Sequence, residues 1–261
     1  MNSQFILNYT GSKFKETKEL DCINFDIYDT IIEPFGGSYG FSRYLYKMRN
    51  YKNKKYIIYD NSKELIDFYL YIQDLIKNNK LEDFLNKYQK ENDYLVKEFQ
   101  YYKNTKRITL NGKKAKEYIL SIEDKYLRFM LKQNCIRGGI VNRANKTKID
   151  KDFLDMFTNI NFIHSDIINI DFTIYDKEKT LIYLDPPYLG KDNSYYDNVG
   201  DVTLFYECIM NLFKTNKTIL IHTYNFLINF VFKECKYMEY SKKFRVSNSI
   251  ENQIVYYNYI I

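Results

Sequence analysis

Thr30-Ile-Ile-Glu-Pro-Phe-Gly-Gly-Ser-Tyr-Gly40 decides how this chain is read. Its first half belongs to an apolar stretch, Asp29–Phe35, that reads as a buried strand. Its second half, Gly36-Gly37-Ser38-Tyr39-Gly40, is a glycine-rich turn. A helix is expected from Phe41 to about Asn50. Lys55-Tyr-Ile-Ile-Tyr-Asp60 then reads as a second strand that ends in an acid. A strand, a glycine turn, a helix and an acid-ended strand make a nucleotide-type pocket. Glycine lets a ligand approach the backbone, and the helix start offers unpaired amides. Asp60 stands about 20 residues beyond the turn, where an acid can hold a ribose diol.

The pattern is not that of two common nucleotide sites. Gly36, Gly37 and Gly40 do not spell G-x-G-x-x-G, so a nicotinamide dinucleotide fits poorly. In Tyr9-Thr-Gly-Ser-Lys13 the lysine follows the serine, the reverse of a P-loop. The glycines also have a purely structural reading, as members of a tight turn.

Further along, residues 62–102 and 115–133 read as helical. Asn111-Gly112 marks a turn, and Cys135 to Lys148 suggests a loop or hairpin. Strand and helix then alternate again. Asn161-Phe-Ile-His164, Thr180-Leu-Ile-Tyr-Leu184, Lys217-Thr-Ile-Leu-Ile-His222 and a stretch from Gln253 read as strands, and 201–214 reads as a helix. Residues 1–20 contain a Lys/Glu-rich helix candidate. Long crossovers favour an α/β fold with a doubly wound, mostly parallel sheet.

Asp185-Pro186-Pro187-Tyr188 carries the sharpest chemistry. It follows an apolar strand, at the edge where open sheets place ligands. The Pro-Pro pair removes two amide donors and stiffens the backbone. The Asp185 carboxylate and the Pro186 carbonyl can each accept one hydrogen of an amino group. Tyr188 can stack on the ring that bears it. Two acceptors release the nitrogen lone pair for attack on an electrophilic methyl.

Charge is uneven. The 261 residues carry +6, yet residues 101–150 hold thirteen Lys/Arg against four acids, a net of +9 that leaves −3 elsewhere. Such a block suits a polyanion or a solvated helical surface. Lys113, Lys114 and Arg137 within it are candidate nucleic-acid contacts. The four cysteines are widely spaced and the two histidines lack spaced partners, so neither a disulfide framework nor a metal site is expected. No run approaches the roughly 20 apolar residues of a membrane span, and no signal-peptide core is evident. An intracellular, cytoplasmic protein is expected. The 28 tyrosines carry no mechanistic weight.

In the order Tyr9–Lys13, Glu33–Gly37, Asp60, basic insert and Asp185-Pro-Pro-Tyr188, the chain resembles the Dam-like (alpha-group) adenine-specific DNA methyltransferases. The resemblance implies a Rossmann-like methyltransferase core in residues 1–62 and 150–261. It implies a helical, basic target-recognition insert in 63–149. S-adenosylmethionine is the implied cofactor. Tyr9, Gly11 and Lys13 would close over it, Pro34, Phe35 and Gly37 would line its methionine side, and Asp60 would take the ribose. Asp166 matches the family's acid near the cofactor adenine, and Asp185 would border the cofactor as well as the target amine. Double-stranded DNA is the implied partner, with a flipped adenine in the pocket. Arg143 and Asn145 resemble the recognition hairpin, Tyr195 and Tyr196 the path of the flipped base, and Ser247 and Asn248 a loop near DNA. A cognate restriction endonuclease is left open as a second partner. So are two rival functions: methylation of adenine in RNA, and a non-catalytic DNA-binding subunit with the same fold.

Overall fold

The computed structural model describes residues 7, 13–102, 108–110, 112–137, 140–141, 151–186, 202–223, 225–243 and 250–258. In chain order the elements are β1 (Thr30–Glu33), α1 (Gly40–Met48), β2 (Lys55–Asp60), α2 (Lys63–Lys77) and α3 (Leu81–Phe99). There follow β3 (Gln100–Tyr102), β4 (Ile108–Leu110), α4 (Gly112–Ser121), α5 (Lys125–Cys135), β5 (Ile136–Arg137) and β6 (Ile140–Val141). The last set is α6 (Lys151–Asn159), β7 (Asn161–His164), β8 (Thr180–Leu184), α7 (Val202–Thr215), β9 (Lys217–Thr223), α8 (Phe226–Val231), β10 (Lys236–Lys243) and β11 (Ile250–Tyr257). The chain divides into two compact units, one holding Glu64–Thr158 and the other Lys13–Lys63 with Asn159–Ile261.

The second unit is an α/β layer structure around a seven-stranded sheet of order β10-β11-β9-β8-β1-β2-β7. The β7-β2-β1-β8-β9 part is parallel throughout. It follows the 3-2-1-4-5 order of a doubly wound nucleotide-binding sheet. The last strand departs from that plan. β11 runs antiparallel between β9 and β10, pairing Val255 with Ile221 on one side and with Met238 on the other. A wholly parallel dinucleotide sheet has no such strand.

Burial explains the strand sequences. All five residues of β8 and five of the six in β2 are buried, as expected where helices cover both faces. α1 turns Phe41 and Leu45, one helical turn apart, inward. Phe41 stacks on Tyr183 of β8 with ring centroids 4.0 Å apart. The core of the unit gathers Ile32, Ile57, Ile182, Leu184, Ile209 and Leu220 with Phe205, Phe213 and Phe232.

The other unit is helical with two short hairpins, β3–β4 and β5–β6. α2 meets α5 through Phe68 against Phe129 (5.1 Å) and Tyr71 stacked on Tyr126 (3.9 Å). It meets α6 through Tyr69 against Phe157 and through Gln73, whose amide donates to the Phe157 carbonyl.

Several elements differ from the sequence reading. The helical stretch 62–102 is broken at Asn78–Lys80, where Asn79 adopts a left-handed φ of 56°. The stretch 115–133 is two helices. Gly112 starts the first, and Asp124 caps the second by accepting the amides of Tyr126 and Leu127. The helix candidate in residues 1–20 is two 3-10 turns, Lys13–Lys15 and Thr17–Leu20. α6, α8 and β10 were not anticipated, although Phe153, Met156 and Phe157 of α6 stand at helical i, i+3, i+4 spacing and are buried. Among the described residues no helix is long and apolar enough to cross a membrane.

Candidate active site

Three of the motif segments converge at one edge of the sheet. β1, β2 and β8 are parallel neighbours, so their C-terminal ends point the same way. β1 is flanked by β2 on one side and β8 on the other, which makes this the point where the winding reverses and where open sheets bind ligands. The glycine turn leaves β1 there, Asp60 ends β2, and Asp185-Pro186 leaves β8.

The glycine turn is fastened to β2. Gly36 donates its amide to the Tyr59 carbonyl at 2.7 Å, and Gly37 donates to Asp60 Oδ2 at 2.8 Å. Asp60 Oδ1 accepts the Ser62 amide at 2.9 Å. Gly37 has a φ of 46°. A Cβ on Gly36 would lie 2.3 Å from the Ile58 side chain and 2.9 Å from the Tyr59 carbonyl oxygen. One on Gly40 would lie 2.7 Å from the Phe14 amide nitrogen and 2.8 Å from that of Lys13. Two of the glycines expected to admit a ligand therefore admit neighbouring protein. Tyr39 takes a left-handed backbone (φ 38°), rare for an aromatic residue. Its ring is buried against Phe162, and the Arg43 guanidinium lies 5.6 Å from its centroid.

Glu33 was not singled out in the sequence. Its carboxylate accepts the Ser42 amide at 2.7 Å, satisfying one of the donors at the start of α1. Burial drives its pKa up to about 7, with the Asp185 charge adding to the rise. Hydrogen bonds from Ser42 and the charge of Arg43 oppose this and are outweighed. Desolvation of a wholly buried carboxylate exceeds what one helix end returns.

Lys13 Nζ lies 3.0 Å from Asp185 Oδ1 and 4.0 Å from Glu16 Oε2. The side chains of Lys13, Glu16 and Asp185 are 6%, 14% and 20% exposed. Glu16 in turn accepts the Tyr240 hydroxyl from β10 at 3.0 Å. Tyr183, two residues before Asp185, is fully buried, and its phenol is raised well above its usual range. Burial is the main cause, followed by the charges of Asp185, Tyr240, Glu33 and Glu16. Among the described residues Tyr183 Oη has no hydrogen-bond partner.

The remaining expectations divide. Pro34 is buried, and the Phe35 ring, partly exposed, lies 5.6 Å from Phe205. Asp166 follows β7 at the same sheet edge and caps the turn Ile167–Asn169 through the Ile168 amide. Pro186 is buried. Lys113 and Lys114 are exposed on α4, and Arg137 ends β5, all in the helical unit. Tyr9, Gly11, Pro187, Tyr188, Arg143, Asn145, Tyr195, Tyr196, Ser247 and Asn248 lie outside the described residues. The sequence reading missed Glu33, Glu16 and Tyr240. Glu16 left a trace three residues after Lys13, and Glu33 one as the acid that opens the quoted segment Glu33–Gly37.

No protein-family model matches the chain, and no curated protein does so either.

Proposed function

We propose that this chain is an S-adenosylmethionine-dependent methyltransferase that modifies the exocyclic amine of adenine in double-stranded DNA. The observation that carries the reading is the meeting of Asp185-Pro186, the glycine turn and Asp60 at the winding reversal of a mostly parallel sheet. The resemblance in motif order supplies the choice of chemistry.

The donor set suits the cofactor. Asp60 accepts the Gly37 amide at one oxygen and the Ser62 amide at the other, which fixes an anionic acceptor at the end of β2 where a diol would sit. Among the described residues, Asp60, Asp166 and Asp185 at this sheet edge outnumber the cations Lys13 and Arg43, which favours a sulfonium over an anionic ligand. When bound, S-adenosylmethionine supplies an electrophilic methyl whose bonding pair leaves on a neutral thioether sulfur.

The chain's own residues act on the amine. Asp185 accepts one amine hydrogen and the Pro186 carbonyl the other. This orients the nitrogen and frees its lone pair from the ring. The surplus proton passes to solvent water after the new N–C bond forms. Positioning and fixed dipoles supply the acceleration. The exposed lysines of α4 contribute sequence-independent attraction for phosphates.

The test is direct. The protein and Asp185→Ala are incubated with S-adenosylmethionine and either unmethylated duplex DNA or structured RNA, and the digested nucleosides are quantified by mass spectrometry. Amine-methylated adenine from DNA, absent with the variant, is the expected result. Product from RNA alone moves the substrate. No product together with no cofactor binding favours a non-catalytic subunit.

A further inference from the structure

We infer that Lys13 is a positioning residue for Asp185, and that Glu16 and Tyr240 hold Lys13 in that role. The inference rests on the reading of Asp185 as the amine acceptor, and it reassigns Lys13 from the cofactor to the acceptor itself.

The contact is built from three directions. Lys13 begins a 3-10 turn whose backbone is pinned: its carbonyl accepts the Thr17 hydroxyl at 2.8 Å and the Glu16 amide at 3.0 Å. Gly40, at the start of α1, lies so close to the Lys13 and Phe14 backbone that no side chain fits between them. The Phe14 ring lies 5.3 Å from the Arg43 guanidinium and 5.8 Å from the Tyr44 ring. The turn is therefore seated on α1, and α1 springs from the glycine turn.

From that seat the lysine side chain runs to Asp185 at 3.0 Å, with Glu16 at 4.0 Å. Lysine is a flexible stem with a strongly hydrated charge, so holding it at 6% exposure is costly unless its charge is matched. Two carboxylates supply the match. Tyr240 fixes Glu16 from β10, so the antiparallel hairpin at the end of the chain helps hold the ammonium.

Asp185 needs such a partner. Glu33 lies within electrostatic reach on β1, and its charge and that of Asp185 repel each other. Among the described residues, Tyr183 on β8, Glu16, Tyr240 and Arg43 are further ionisable groups of this cluster. Lys13 is the cation in direct contact with Asp185 among the described residues. An acceptor of amine hydrogens must be ionised and aimed. The ammonium favours the ionised form and, by holding one oxygen, aims the carboxylate.

The test uses the full chain with Lys13→Met, Lys13→Gln and Lys13→Arg, each checked for folding by circular dichroism. The first readout needs no activity. The Asp185 carboxyl is followed by carbon NMR against pH, its resonance assigned with Asp185→Asn. In Lys13→Met its titration moves to higher pH, and in Lys13→Arg it stays near that of the parent chain. An unmoved titration in Lys13→Met overturns the inference. If Lys13→Met does not fold, Lys13→Gln is read in its place: an upward move there supports the contact and an unmoved titration overturns it. The second readout is methyl transfer. Lys13→Met lowers kcat on the order of 10- to 100-fold, leaves the KM for S-adenosylmethionine within about twofold, and moves the acid limb of the kcat profile upward. Lys13→Arg recovers most of the rate. A raised KM with unchanged kcat returns Lys13 to the cofactor and overturns the inference. Absence of methyl transfer by the parent chain sinks the proposed function, while the NMR titration still decides the role of Lys13.

Discussion

The Gly37 amide donates to Asp60 Oδ2 at 2.8 Å, tying the turn after β1 to the last residue of β2. The other oxygen of Asp60 takes the Ser62 amide. One carboxylate thus organises two loops of the candidate site. Asp60→Asn keeps one oxygen acceptor and replaces the other with a donor, so one amide loses its partner. We expect a stability loss of about 1–2 kcal/mol by urea denaturation, with S-adenosylmethionine affinity at least tenfold weaker by calorimetry. Unchanged affinity would remove Asp60 from the proposed ribose role.

Gly40→Ala sets helix propensity against packing. Alanine is better than glycine in a helix by about 1 kcal/mol. The added Cβ would lie 2.7 Å and 2.8 Å from backbone nitrogens of Phe14 and Lys13, atoms that cannot rotate away. The clash prevails, with an expected net cost of about 1–3 kcal/mol. A melting temperature equal to or above that of the parent chain contradicts the close approach.

Glu33→Gln is predicted to flatten the pH dependence of stability. The folded-state pKa of Glu33 is raised from the ordinary 4.5 to about 7 by burial. The folded form therefore binds more protons than the unfolded form between those values. Its contribution is fully present below about 4.5 and is lost as pH rises through about 7. Glutamine can still accept the Ser42 amide but does not titrate. Between pH 5 and pH 8 the variant should gain roughly 3 kcal/mol on the parent chain. Parallel stability curves for the two proteins would show that Glu33 ionises normally.

Lys113 and Lys114 test the partner. Both are exposed, so their joint replacement by alanine should leave the fold intact. If both meet phosphates of duplex DNA, the slope of log K against log salt becomes shallower by about 2. Binding should weaken evenly across DNA sequences. An unchanged slope in fluorescence-anisotropy titrations removes α4 from the interface.

The sequence by itself determined the local parts. Apolar runs of four residues, Tyr56–Tyr59 and Leu181–Leu184, made β2 and β8 recognisable, because strand burial on both faces leaves a continuous hydrophobic signature, while β1 and β7 showed as the shorter pairs Ile31-Ile32 and Phe162-Ile163. The glycine turn and Asp185-Pro186 were legible because backbone freedom and backbone stiffness are written in single residues. Tertiary structure alone decided what these parts meet. That Gly36 and Gly40 make room for protein backbone and side chain follows from the packing of β2 and of the turn at Lys13. That Glu33 is buried, that Lys13 pairs with Asp185, and that Tyr240 reaches Glu16 all depend on strand order. Strand order is set by contacts between segments far apart in the chain, above all the insertion of β11 between β9 and β10. Propensity acts over a few residues and carries no record of which distant strand becomes a neighbour.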